Sequence, residues 1–215
     1  MLDMLTAENG FIFRITHIGN LPWLLTHGLH CANGTMTDPN FVAIGNPDLI
    51  GKRNRQAVRI APCGTIADYI PFYFTPRSPM LYNIRTGRNG VTMRPNEQIV
   101  VLVSSASAMA EHGVTMVFTD RHASAATADW CETYNHAASL IDWDILRRHD
   151  FARDHAYPDK MERYQAEALG HRHVPPNALL GLGCCSEAVA AAVSMHTKAA
   201  QPKLRIVTRQ NWFFA

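Results

Sequence analysis

The sequence has no apolar run approaching the ~20 residues that a membrane-spanning helix needs. Its first residues, MLDMLTAENG, lack the basic and apolar segments of a signal peptide. A cytoplasmic protein with no membrane partner is therefore expected. The five cysteines, Cys31, Cys63, Cys131, Cys184 and Cys185, are odd in number and contain no C-x-x-C pair, so neither a disulfide framework nor a zinc ribbon is indicated. Eleven histidines include no H-E-x-x-H, and His171 and His173 would point to opposite sides of an extended strand, so no metal centre is expected. G-x-G-x-x-G, G-x-x-x-x-G-K-[ST] and G-x-S-x-G are all missing, which removes the common dinucleotide, NTP and hydrolase signatures. Neither sign of charge dominates: 20 Lys and Arg stand against 18 Asp and Glu, a formal net charge of +2. Any polyanion must therefore be met by local patches.

Such patches are present. KRNRQAVR at 52–59 holds four basic residues in eight, and others lie at Arg85, Arg88 and Arg94, at Arg147 and Arg148, and at Lys160, Arg163 and Arg172. Their arginine content favours phosphate, which suits a planar guanidinium fork better than an ammonium.

The 215 residues, 47% hydrophobic, are expected to form one domain spanning 1–215. FIFRITH opens an alternating, β-branched strand, and PWLLTHGL at 22–29 reads as a short helix with Pro22 near its start and Gly28 at its end. Residues 33–47 read as loop, with FVAI at 41–44 as a short strand. In YIPFYFTPRSPMLYNI at 69–84, Pro71, Pro76 and Pro79 exclude a central strand and a continuous helix, leaving an edge strand with a loop or a segment wrapping a pocket. Residues 98–113 read as a buried strand running into a short helix, strands are expected in 114–120, 178–186 and 204–209, and an alanine-rich helix at 187–200. Residues 121–160 form a long polar excursion of the kind that serves as a lid or binding loop. By element order the class is α+β.

Within this frame MERYQAEALGHRHVPP at 161–176 sets one carboxylate, Glu167, inside an apolar run between basic residues. Four segments, RITHIGNLPWLLTHGL, GNPDLIGKRNR leading to DYIPFYFTPRSPMLY, VFTDRHA, and RYQAEALGHRHVP, together resemble the DarT toxins, ADP-ribosyltransferases that modify bases in single-stranded DNA. The segments run in the family's order over most of the chain, and YIPFYFTPRSPMLY is the most specific of them.

The resemblance implies an ADP-ribosyltransferase fold, a split two-sheet β-core with surrounding helices, that holds NAD as donor substrate in the cleft and uses no metal. It implies transfer of ADP-ribose to a base, thymine first, with guanine, RNA or protein as alternative acceptors and a weak NAD- or nucleic-acid-binding module as the rival class. Glu167 matches the family's catalytic glutamate, whose carboxylate would face the oxocarbenium ion. The acceptor-side arginine matches either Arg53 or Arg55. Thr16, His17, Asn20 and Leu21 match the NAD-binding start, Phe72 and Tyr73 the cleft aromatics, and Arg77 is a candidate for the pyrophosphate. Packing alone is the competing account of the aromatics, and a hydrogen-bonded structural histidine that of His17.

Asp120, Arg121 and His122 resemble the start of the substrate loop. Arg147, Arg148 and Arg163, with Trp130, Tyr134 and Trp143 as stacking platforms, would track single-stranded DNA. The implied partners are single-stranded DNA and a macrodomain antitoxin that removes the mark. Ala168 and Gly170 are smaller than the family's usual residues after the glutamate, which predicts a looser strand there.

Overall fold

The computed structural model describes residues 4–198, 200–201 and 203–215. The strands are β1 (Phe11–His17), β2 (Leu29–His30), β3 (Tyr69–Tyr73), β4 (Ile99–Ser105), β5 (Met116–Thr119), β6 (Trp130–Cys131), β7 (Glu167–His171), β8 (His173–Val174), β9 (Gly181–Cys184) and β10 (Arg205–Thr208). The helices are α1 (Leu21–His27), α2 (Pro47–Asn54), α3 (Pro79–Thr86), α4 (Ala106–Glu111), α5 (Tyr134–Leu140), α6 (Trp143–Arg148), α7 (Lys160–Arg163) and α8 (Glu187–Thr197).

Local chemistry places most of their ends. Pro22 sits in the first turn of α1, and Gly28, at φ +83°, stops it. Asn46, Ser78, Ser105 and Ser186 each accept backbone N–H groups at the start of α2, α3, α4 and α8. The alanine-rich helix ends at Thr197, and Ala199 of the expected 187–200 span lies outside the described residues. FVAI is not a strand. Its Val42 is instead clipped by Asn20, whose amide accepts the Val42 N–H (2.8 Å) and donates to the Val42 carbonyl (3.0 Å).

Among the described residues eight strands form one sheet in the order β10-β9-β4-β1-β3-β7-β5-β6, with β2 and β8 as a separate pair. The large sheet is split. β1 pairs β4 along its whole length and β3 pairs β7 at five positions, whereas β1 and β3 meet only at Phe13 and Tyr73. Antiparallel pairing from that point would next set Ile15 against Pro71, and proline has no N–H to give. The Arg14 guanidinium takes the place of the missing ladder by donating to the Pro71 carbonyl (2.8 Å). The expectation that the prolines exclude a central strand is thus corrected in an instructive way. β3 is internal by strand order, yet Pro71 faces the gap and behaves as an edge residue.

The main core includes the sheet face lined by Ile12, Ile70, Phe72, Phe118 and Ala168 and, on the opposite face of the β1–β4 half, Phe13, Val101 and Trp212, while a smaller cluster of Val58, Ile66, Tyr69, Val117 and Leu169 lies on the opposite face of the β5–β7 half. The carboxy-terminal aromatics close one end. Trp212 stands edge-on to Phe13 (5.3 Å), over Gly183, where an added Cβ would come within 2.4 Å of the indole. β7 is not loose after the glutamate. Ala168 is fully buried, and a Cβ at Gly170 would already meet Val174 at 3.0 Å, so neighbouring side chains fill the space that bulkier residues would occupy.

Candidate active site

β7 lies between β3 and β5, and its first residue, Glu167, pairs Tyr73 on one side and Thr119 on the other. Its side chain is completely buried. Arg53, in the last turn of α2, grips it with both terminal nitrogens: Nη1 lies 2.8 Å from Oε1 and Nη2 bonds Oε2. The Ala123 N–H donates to Oε1 (3.0 Å), and His122 Nε2 lies 3.9 Å from Oε1 and 3.3 Å from Arg53 Nη1. Ser124 N–H holds the imidazole by donating to Nδ1 (3.1 Å).

Burial opposes charge on Glu167, but the Arg53 guanidinium, with help from His122 and the Ala123 N–H, outweighs it and holds the carboxyl below its ordinary value of 4.5. Arg53 shows the converse balance, desolvation being outweighed by Glu167, and its pKa is raised. Burial pushes His122 below its ordinary value. Because Glu167 titrates lower in the folded chain, its contribution to stability is complete above pH 4.5 and disappears as the pH falls through the folded value. Thermal melting against pH should show an acid limb that is flattened in E167Q; identical limbs would remove Glu167 from that linkage.

A cavity of about 700 Å³ opens beside this pair. Its floor includes Arg14, Tyr73, Pro71 and Arg53, and Thr16, Asn20 and His122 also line it. Arg53 lines the cavity whereas Glu167 lies beneath it. The hairpin-like clip of Asn20 on Val42 brings Phe41 and Ile44 to the same opening.

The residues expected from the sequence therefore divide. Thr16, Asn20, Arg53, Tyr73 and His122 converge on the cavity with Glu167 behind them. Arg55, two residues beyond Arg53, is exposed at the end of α2 and reaches neither Glu167 nor the cavity lining. His17 spends Nδ1 on the Gly19 N–H (3.0 Å) and is not among the lining residues. Leu21 is buried in the main core, as is Phe72. Successive strand residues face opposite sides, so Tyr73 and Phe72 cannot both face the cleft.

Arg77 is also displaced from its expected place: it stacks on Phe214 (4.3 Å) and donates to the Asn211 carbonyl (3.2 Å). Replacing Phe72 by Ala should cost about 3–5 kcal/mol of stability, read by denaturant unfolding, with KM for the donor unchanged in the folded fraction. A donor-binding defect without a stability loss would reverse that placement.

The expected DNA track is largely structural. Asp120 is buried, accepts the Asp129 N–H (3.0 Å) and pairs with Arg121, which also reaches Asp159. Arg147 bonds Asp144 and the Leu5 carbonyl, and Arg163 faces Asp142 and Asp159. Lys160 is buried between Asp150 and Asp154. Arg148 is exposed, its charge felt by Asp150. Tyr134 and Trp143 are not free platforms, since both pack on Phe74 and each spends its polar atom on a backbone carbonyl. Of the long excursion, its opening residues His122 and Ser124 reach the cavity.

Sequence reasoning missed Arg14, Pro71 as the cause of the split, and the apolar rim of Trp23, Met36 and Leu49. An arginine inside an otherwise apolar strand was the available signal for the first.

Comparison with known proteins agrees with this geometry. A profile of the family described as "ssDNA thymidine ADP-ribosyltransferase, DarT" matches residues 13–214. The chain belongs to the DarT family. A DNA ADP-ribosyl transferase of Escherichia coli O127:H6 (strain E2348/69 / EPEC) is 46% identical over 213 residues, covering 98% of this chain and 96% of that protein. The structure of Thermus sp. 2.9 DarT in complex with ADP-ribosylated ssDNA superimposes with a TM-score of 0.87 at 32% identity, covering 96% of this chain and 97% of that one. Thermus sp. 2.9 DarT in complex with NAD+ gives 0.82 at 32% identity over 95% and 98%. The split sheet and the buried glutamate thus belong to a DarT fold, and this chain is an NAD-dependent DNA ADP-ribosyltransferase.

Proposed function

We propose that the whole chain acts as one ADP-ribosyltransferase domain whose cavity holds NAD, with Glu167 and Arg53 as the catalytic pair. The observation that carries this reading is the buried Glu167–Arg53 pair at the edge of a cavity of about 700 Å³ in a split sheet. When the bond from nicotinamide to ribose C1′ breaks, its electron pair leaves with nicotinamide and positive charge develops on C1′. A carboxylate held ionised beside that carbon stabilises the charge. The acceptor nitrogen of thymine then bonds C1′ and its proton leaves to solvent. A guanidinium beside the ring favours that loss by stabilising the deprotonated base. Arg53 can serve both partners: it holds Glu167 in the absence of substrate, and turning toward the acceptor uncovers the carboxylate.

Thr16 and Asn20 are assigned to the donor through their place in the lining, and Tyr73 to stacking on nicotinamide. Arg148 is assigned to the DNA strand through its exposure. The protein is read as a cytoplasmic toxin, because its NAD and DNA substrates are found there; among the described residues no helix is long and apolar enough to cross a membrane. Its natural counterpart is a macrodomain antitoxin that removes ADP-ribose from DNA. The test is to incubate the protein with NAD and single-stranded oligonucleotides with or without thymine. A gain of one ADP-ribose on the thymine-containing strand with release of nicotinamide is expected. Labelling confined to RNA or protein would overturn the DNA assignment.

A further inference from the structure

The cavity carries an imbalance of charge that the catalytic pair does not explain. Its charged lining comprises Arg14, Lys52 and Arg53 against a single carboxylate, Asp38. Asp38 is occupied by its own turn, accepting the Asn40 N–H (2.8 Å). Arg53 is neutralised by Glu167. Lys52 is exposed to water, which screens its charge. Arg14 has neither remedy. It is part-buried in the gap between β1 and β3, it feels only the more distant charge of Glu167, which Arg53 already binds, no carboxylate among the described residues is in ion-pair contact with it, and its side-chain hydrogen bond goes to the neutral Pro71 carbonyl.

The nearest acidic hydroxyl cannot neutralise it. Burial pushes the Tyr73 phenol up to about 12, so that group stays protonated at any working pH. Desolvation lowers Arg14 itself to about 10, which still leaves it a cation near neutrality. The buried centre formed by Arg14, Arg53 and Glu167 therefore holds one positive charge in excess, next to an open cavity. A desolvated cation without a counter-charge is costly, and such groups at a cleft mark a place where a ligand supplies the charge. Arg14 has only Nη1 committed, so the other nitrogens of its planar fork can meet phosphate oxygens.

We propose that Arg14 holds the diphosphate of the dinucleotide donor, the role for which Arg77 is misplaced. The proposal rests on the reading of the cavity as the NAD site. Arg14 is therefore a donor-binding residue rather than a member of the catalytic pair.

Two ligands separate charge recognition from cleft shape: ADP-ribose, which carries the diphosphate, and adenosine, which carries none. Titrated against the wild-type protein and R14Q by ligand-observed NMR or calorimetry, ADP-ribose should weaken about tenfold or more, as expected for a lost charge-assisted hydrogen bond, while adenosine changes by less than about twofold. In transfer assays KM for NAD should rise about tenfold with kcat within about threefold. R14K, which keeps the charge but not the fork, should fall between. Equal losses for both ligands would make Arg14 a prop of the cleft alone and overturn the proposal, as would no loss for either. If R14Q does not fold, R14K decides by the same comparison, a selective loss for ADP-ribose supporting the assignment and any other pattern refuting it. Wild-type protein that binds neither NAD nor ADP-ribose would instead bring down the NAD reading itself, and the assignment of Arg14 with it.

Discussion

E167Q is expected to lower the rate of ADP-ribose transfer by about 10²–10³-fold or more while leaving the protein folded. Glutamine keeps the size of the side chain and a carbonyl that can still accept from Arg53 and the Ala123 N–H, but it has no negative charge to offer to C1′. The loss should appear in kcat, because the charge on C1′ develops only in the transition state. E167A is the less informative variant. It leaves the Arg53 guanidinium, with 15% of its side chain exposed, facing an empty carboxylate site, and removing one partner of a buried ion pair costs about 3–5 kcal/mol. Single-turnover transfer to a thymine-containing oligonucleotide, with melting temperature as the control, separates the two effects. Activity within a few-fold of wild type in E167Q would exclude the carboxylate from the chemistry.

The second large effect distinguishes two arginines that the sequence leaves equivalent. R53A and R53K should each reduce transfer by at least about 10²-fold, whereas R55A should stay within about twofold. R53A leaves Glu167 ionised, wholly buried and deprived of its main counter-charge, which raises its pKa and adds a stability loss of about 3–5 kcal/mol. R53K retains the charge but cannot bond both carboxylate oxygens at once, so stability should recover more than activity. A variant in which R55A, and not R53A, stops transfer would exchange their assignments.

The choice between Arg53 and Arg55 shows why the site was only partly legible. Residues two apart on a helix point about 200° apart around its axis, so one alone can face Glu167. The Asn46-Pro47 pair that starts α2 was a readable helix signal, yet the segment carries no buried residue and so lacks the apolar stripe by which a helix is usually recognised. Phe72 and Tyr73 pose the same problem on a strand. Alternation says that they face opposite ways, but which one meets the ligand depends on the register of β3 against β7. Arg77, Tyr134, Trp143 and Arg147 were each chemically suited to a ligand and are each engaged by distant chain, such as Phe214, Ala7, Phe74 and Leu5.

By itself the sequence determined the elements whose causes are local: the alternating first strand, the Pro22 to Gly28 helix, the buried strands at Ile99–Ser105 and Gly181–Cys184, and the capped alanine-rich helix. It also carried the four motifs, the last of which sets Glu167 inside an apolar run. Only the tertiary structure decided that Pro71 opens the sheet, that Arg53 covers Glu167, and that Arg14 lines the cavity with no carboxylate in ion-pair contact among the described residues. Propensity, capping and periodicity act over a few residues and are written in the chain, whereas cleft access and charge balance arise between residues 57 and 114 positions apart and exist only once the sheet has set its register.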